Sequence, residues 1–216
     1  MNRLVIFDFD GVLVNTEYTT FSFYKDLLPK YNIHLKEEDF KHKAGRKSHD
    51  FFKFVLRDKY DEKIVDELVE LKREAFIKDV KKYLKPLPGV FDLLESCKKA
   101  GLKMGIGSQN EKPLIQKALD VFGFRDYFEF TTALQDLSNK KPHPEVFLLV
   151  ADTVGILPEE SVVIEDAPIG IEAAIEGGFK SIGITTSFTK EDLNKADLVI
   201  DSLSELDGEK LKVFKQ

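Results

Sequence analysis

The stretch RLVIFDFDGVLVNTE, residues 3–17, carries four consecutive apolar residues, Leu4 to Phe7, straight into two aspartates one residue apart, Asp8 and Asp10, followed by Gly11. Consecutive rather than alternating apolar positions predict a strand buried on both faces of a sheet. If the extended conformation persists, side chains 8 and 10 leave on the same side and Phe9 on the other. Two carboxylates so placed repel, and a fold keeps them by adding a cation, sharing a proton or admitting water. The plainer alternative is a strand end running into a solvated turn, with Asp as turn former and Gly11 at positive φ. The decision rests on the remainder of the chain.

From about residue 89 onward, helical patterns alternate with short apolar runs. GVFDLLESCKKAG reads as a helix stopped by Gly101, LKMGIG as a strand, and EKPLIQKALDVFG as a helix stopped by Gly123. YFEFTT, SVVIED, KSIGIT and ADLVID read as strands; PEVFLLVADTVG and PIGIEAAIEGG read as helices opened by proline. Such alternation predicts βαβ units on a doubly wound parallel sheet of the α/β class. Between the first strand and this array, about seventy residues show three-and-four apolar spacing and no strand pattern, too long a stretch for a loop. The expected organisation is a Rossmann-like core of residues 1–14 and 86–216 with an all-helical cap domain, 15–85, inserted after the first strand. In DEKIVDELVELKREAFIKDVKKYL the expected apolar stripe is Ile64, Leu68, Leu71 and Phe76.

A chain of 216 residues with 43% hydrophobic content supports a sizeable core. Its formal charge of −6 and the lack of a dominant basic run exclude nucleic acid and anionic membrane as expected partners. No leader pattern opens the sequence and no apolar run approaches the ~18 residues of a membrane span, so a cytoplasmic protein is expected. The single cysteine, Cys97, sits at helical spacing as an ordinary thiol. His34, His42, His49 and His143 show no metal-ligand spacing.

Three later segments repeat the arrangement of the first, each placing polar residues just after a strand. Open α/β sheets gather reactive groups outside the carboxyl ends of their strands, so residues distant in sequence converge there. In GIGSQNEKP, the Ser108 hydroxyl and the backbone N–H groups of Gln109 and Asn110 can hold a phosphate, or Ser108 or Asn110 caps the following helix. In NKKPHPEVF, Lys141 precedes Pro142 and is biased towards extended backbone, placed either to balance a phosphate or simply to be solvated. In VVIEDAPIGIEAA, Glu165 and Asp166 end a strand, and Asp166 either caps the helix opened by Pro168 or joins Asp8 and Asp10. The joined set is all hard oxygen, without histidine or thiolate, and suits Mg²⁺.

These segments together, DFDGVL (8–13), Ser108 after MGIG, Lys141 with Pro142, and EDAPIGIEAA (165–174), resemble the haloacid dehalogenase superfamily, in its phosphatase and β-phosphoglucomutase branch with a helical cap. The resemblance covers nearly the whole chain, with the motifs in the family's order and spacing. It implies Asp8 as a nucleophile that becomes an aspartyl phosphate, and Asp10 as general acid and then base. Ser108, Gln109 and Lys141 would hold the phosphoryl group. Mg²⁺ would be bound by Asp8, the backbone carbonyl of Asp10, and Asp166, with Glu165 binding directly or through water. AGRKSHD (44–50) resembles the family's substrate loop, making Arg46 and Lys47 candidate contacts to a second anionic group, or solvated charges at a helix start. Departures are Lys140 where the family often has glycine, Asn15 where it often has aspartate, and Thr20 at the position matching a histidine of the mutases. The implied function is a Mg²⁺-dependent phosphatase of small phosphorylated metabolites such as sugar phosphates, acting as a monomer. The rivals are a β-phosphoglucomutase-type isomerase, a receiver-like phospho-aspartate module and a catalytically silent binding protein.

Overall fold

Strand β1 (Leu4–Phe7) is buried along its entire length and pairs in parallel with a strand on each side. In this computed structural model, which describes residues 1–40 and 48–215, β1 lies at the middle of a six-stranded parallel sheet. The other strands are β4 (Lys103–Gly107), β5 (Phe130–Thr132), β6 (Ser161–Glu165), β7 (Lys180–Ile184) and β8 (Leu198–Ile200), in the order β5-β4-β1-β6-β7-β8. Counted within the sheet alone, that is the 3-2-1-4-5-6 order of a doubly wound fold, as the alternating pattern predicts. Two short strands, β2 (Val14–Asn15) and β3 (Lys85–Pro86), form a separate two-stranded sheet.

The helices Val90–Lys99, Lys112–Phe122, Glu145–Val154 and Pro168–Glu176 alternate with these strands. Gly123 and Gly155 end two of them in the left-handed conformation, the usual glycine stop. On one face of the sheet, Leu4, Ile6 and Val163 pack with Val146, Phe147, Val150 and Phe179. Each such side chain, fully buried, contributes about 1.5–3 kcal/mol of transfer free energy. The helix Gly208–Val213 has no counterpart among the expected elements; its six residues are too few for a periodic signal.

The chain divides into two compact units, Met1–Asn15 with Pro86–Gln216, and Thr16–Lys85. In the second unit the helices Glu17–Leu27, Ser48–Leu56 and Glu62–Lys78 surround their own core, which includes Phe21, Tyr24, Phe51, Phe52, Val65 and Leu68. The stripe expected on the long helix is corrected here. Leu68 and Phe76 are buried, but Ile64 and Leu71 are each 40% exposed, and Val65 takes the inward position. The helix breaks at Asp79, whose carboxylate accepts from the Lys82 N–H and opens the short helix Val80–Tyr83. Arg46 and Lys47 lie outside the described residues. None of the described helices is long and apolar enough to cross a membrane.

Candidate active site at the carboxyl edge of the sheet

Register brings the polar segments together. Phe7 pairs with Ile106 on one side and Ile164 on the other, so one residue further on Asp8 stands beside Gly107 and Glu165. The Asp8 N–H continues the ladder by donating to the Ile164 carbonyl at 2.9 Å. Strand β1 is also where the connections diverge to the two sides of the sheet, the switch point at which open α/β folds leave a crevice.

At this point lies a buried charged cluster. Lys141 Nζ donates to Asp8 Oδ1 and to Glu165 Oε1, each at 2.6 Å, with side chains only 5%, 8% and 2% exposed. Lys141 also sits 4.8 Å from the centroid of the Phe147 ring, where its ammonium gains a cation–π contact. The Lys141–Pro142 bond is cis. Glu165 Oε2 accepts from the Ala167 N–H at 2.7 Å, and Ser187 Oγ donates to Asp166 Oδ2. Asp166 therefore does not cap the following helix, whose N-cap is Ala167. Asp8, Glu165 and Asp166 present carboxylate oxygens within 4.8 Å of one another.

Two glycines make room for this cluster. Gly11, at φ +74°, faces Asp166 so closely that a Cβ would fall 1.8 Å from Oδ2. A Cβ on Gly170 would fall 1.9 Å from Glu165 Oε1. Neither position admits a side chain without displacing a carboxylate, and Gly11 additionally has a conformation that L-residues rarely adopt.

The electrostatics follow from burial. Burial, reinforced by Glu165 and Asp10, pushes the Asp8 carboxyl up to about 7 although Lys141 pulls it down. Burial together with Glu165 and Asp8 holds Asp166 well above the carboxylate range. Burial works against the Lys141 ammonium, yet Asp8 and Glu165 more than offset it and raise its pKa. Three carboxylates against one ammonium leave an excess of two negative charges if all are ionised, a deficit of the size a divalent cation fills.

The carboxylate of Asp10 does not join this group. Its backbone is folded into a tight turn, with the Gly11 N–H donating to the Val14 carbonyl at 2.8 Å, and Asn110 Nδ2 donates to both of its oxygens at 3.1 and 3.0 Å. Ser108 is fully buried at the end of β4, and its Oγ accepts from the Asn110 N–H at 2.9 Å. That N–H is therefore engaged by Ser108, not open to an anion. Neither Ser108 nor Asn110 is the cap of the helix Lys112–Phe122, a position taken by Glu111. Gln109 Nε2 is buried and has no hydrogen-bond partner among the described residues. Thr20 lies in the helix Glu17–Leu27 of the second unit.

Sequence reasoning missed Asn110 as a side-chain partner of Asp10, and it missed Ser187 and Gly170. The signals were faint: Asn110 belonged to the segment read for its backbone N–H groups, Ser187 follows the apolar run of β7, and Gly170 interrupts an apolar helix where glycine costs stability. Cys97, by contrast, is an inert core thiol, its pKa pushed up to about 12 by burial and by nearby Asp207.

The profile of the haloacid dehalogenase-like hydrolase family matches residues 5–184. Validoxylamine A 7'-phosphate phosphatase of Streptomyces hygroscopicus subsp. limoneus is 25% identical over 210 residues, covering 95% of this chain and 96% of its own. The pyrophosphatase PpaX of Bacillus cereus (strain AH820) is 27% identical over 206 residues, covering 94% and 93%. Among solved structures, a β-phosphoglucomutase from Clostridium difficile superimposes with a TM-score of 0.76 at 28% identity, over 98% of this chain and 96% of that one.

Proposed function

The chain belongs to the haloacid dehalogenase-like hydrolase family, and on that premise we propose that it is a Mg²⁺-dependent phosphatase of small phosphorylated metabolites, such as sugar phosphates, working through an aspartyl phosphate on Asp8. Family membership and relatives that are phosphatases over nearly their whole length make it a phosphoric monoester hydrolase. The observation that carries the finer reading is the buried charge imbalance at the switch point, three carboxylates facing one ammonium. An all-oxygen donor set fits Mg²⁺ in preference to metals favoured by imidazole or thiolate. Asp8, Asp166 and the Asp10 carbonyl would hold it, with Glu165 direct or through water. When bound, the ion supplies positive charge against the phosphoryl oxygens and relieves the repulsion among the carboxylates.

The chain's own groups then divide the chemistry. Lys141 holds Asp8 by Oδ1, which orients the other oxygen towards phosphorus. As the Asp8–phosphorus bond forms and the ester P–O bond breaks, Asp10 gives its proton to the departing oxygen. Asp10, now a carboxylate, takes a proton from the water that attacks the acyl phosphate, which releases inorganic phosphate and restores Asp8. Ser108, Gln109 and Lys141 bind the non-bridging oxygens and stabilise their charge. Arg46 and Lys47 would meet a second anionic group of the substrate.

The mutase-like fold neighbour supports a second reading, in which a sugar hydroxyl replaces water in the second half-reaction. Thr20, at the position matching the mutase histidine, favours water. One experiment separates these readings: ³¹P NMR of glucose 1-phosphate with the protein, Mg²⁺ and a trace of glucose 1,6-bisphosphate, run beside Asp8→Asn and a chelator-treated sample. Inorganic phosphate is expected only with wild-type protein and Mg²⁺. Stoichiometric glucose 6-phosphate would promote the mutase, and phosphate release by Asp8→Asn or in chelator would overturn the mechanism.

A further inference from the structure

Asp10 is held in two ways, its backbone by its own turn and its side chain by a distant segment. Its backbone is fixed locally, by the turn in which the Gly11 N–H meets the Val14 carbonyl and the Leu13 and Val14 N–H groups both donate to the Phe9 carbonyl. Its side chain is held from a hundred residues away by Asn110.

Asn110 is itself anchored on every other polar atom. Its N–H donates to Ser108 Oγ at 2.9 Å, its carbonyl accepts from the Leu134 N–H at 2.9 Å, and its Oδ1 accepts from the Glu111 N–H at 2.8 Å. The last contact settles the amide orientation, because Oδ1 must face a donor and Nδ2 therefore faces Asp10. A single NH₂ group spanning both carboxylate oxygens defines where the carboxyl sits and limits its rotation. Glu111 N–H and Asp10 thus define the two ends of one rigid amide.

We propose that Asn110 is the positioning residue for Asp10, setting the carboxyl that serves the departing oxygen in the first half-reaction. The inference rests on the acid role given to Asp10 above. Asn110 acts through Asp10, so its loss matters in proportion to how much help the leaving group needs.

The test measures kcat/KM, which reports the first phosphoryl transfer, for phenyl phosphate and p-nitrophenyl phosphate with Mg²⁺. The variants are Asn110→Ala, Asn110→Asp and Asp10→Ala. Asn110→Asp keeps an oxygen for the Glu111 N–H but replaces the donor by a carboxylate that repels Asp10, and a melting temperature taken for each variant checks that it folds. Asn110→Ala removes the donor without adding charge. With both Asn110 variants, kcat/KM for phenyl phosphate is expected to fall by about tenfold or more, and that for p-nitrophenyl phosphate, whose leaving group needs little protonation, by less than about threefold. Asp10→Ala should show the same discrimination more strongly. If Asp10→Ala slows both esters alike, the acid role of Asp10 falls and the inference with it. Should Asp10→Ala discriminate while the Asn110 variants slow both esters equally or neither, Asn110 is not the positioning residue.

Discussion

The cluster beside β1 and the surface of the Thr16–Lys85 unit hold ion pairs of similar chemistry under opposite conditions. On the long helix Arg73 donates to Glu70 through two nitrogens at 2.8 and 2.7 Å, with side chains 40% and 50% exposed. Water and salt screen that pair, and its contribution to stability lies at about 1 kcal/mol or less. Lys141, Asp8 and Glu165 make contacts of comparable length almost wholly out of water, where removing one partner leaves an uncompensated charge. Distance alone therefore says little about what a charged contact does. Burial and the charge balance around it decide, and the same burial that makes the cluster costly makes it reactive.

The largest expected effect is at Lys141. Replacing it by methionine removes the only ammonium of the cluster while roughly keeping its volume, leaving Asp8 and Glu165 face to face. In chelator at pH 8 the variant should lose about 3 kcal/mol or more in denaturant unfolding, and much less at pH 5, where Asp8 can take up a proton. Equal losses at both pH values would show that packing, not charge, explains the residue.

Next in size is the pH dependence of the metal-free wild-type protein. Asp8 has its folded pKa raised from 3.8 to about 7, and Asp166 is raised as well. An acid with a raised folded pKa binds more protons folded than unfolded, so its stabilising contribution is present below pH ~4 and is lost as pH climbs towards 7. In chelator the protein should be more stable at pH 5 than at pH 8 by about 2 kcal/mol or more, and millimolar Mg²⁺ should recover the loss at pH 8. Thermal melts at the two pH values, with and without Mg²⁺, check this. A metal-free protein more stable at pH 8 would contradict the charge excess assigned to the cluster.

The smallest effect is expected at Arg73. Arg73→Ala should change stability by no more than about 1 kcal/mol at low salt, with the difference shrinking as salt is added. A loss as large as that of the Lys141 variant, persisting in high salt, would erase the contrast between the two regions.

Much of this architecture was readable from local pattern. Continuous apolar runs at Leu4–Phe7 and Val162–Ile164, glycine stops at Gly123 and Gly155, and a proline opening at Pro168 are all short-range signals, and together they point to a parallel α/β sheet. The long helix was harder to read. Its many apolar residues allow more than one inward face, and only packing against Phe51, Phe52 and their neighbours turned Val65 inward and left Ile64 and Leu71 partly exposed.

What the sequence by itself determined is the α/β class, the family, and the fact that Asp8, Ser108 and Glu165–Asp166 each stand at or just beyond the end of an apolar strand, because strand ends are written in local hydrophobicity and glycine or proline punctuation. What only the tertiary structure decided is which of these groups touch. Lys141 reaches both Asp8 and Glu165, Asn110 takes the carboxylate of Asp10 away from the acid cluster, Ser187 meets Asp166, and Gly170 leaves space for Glu165. These contacts span up to 133 residues. They depend on parallel register across β1, β4 and β6 and on the packing of helices against the sheet, neither of which leaves a periodic trace along the chain.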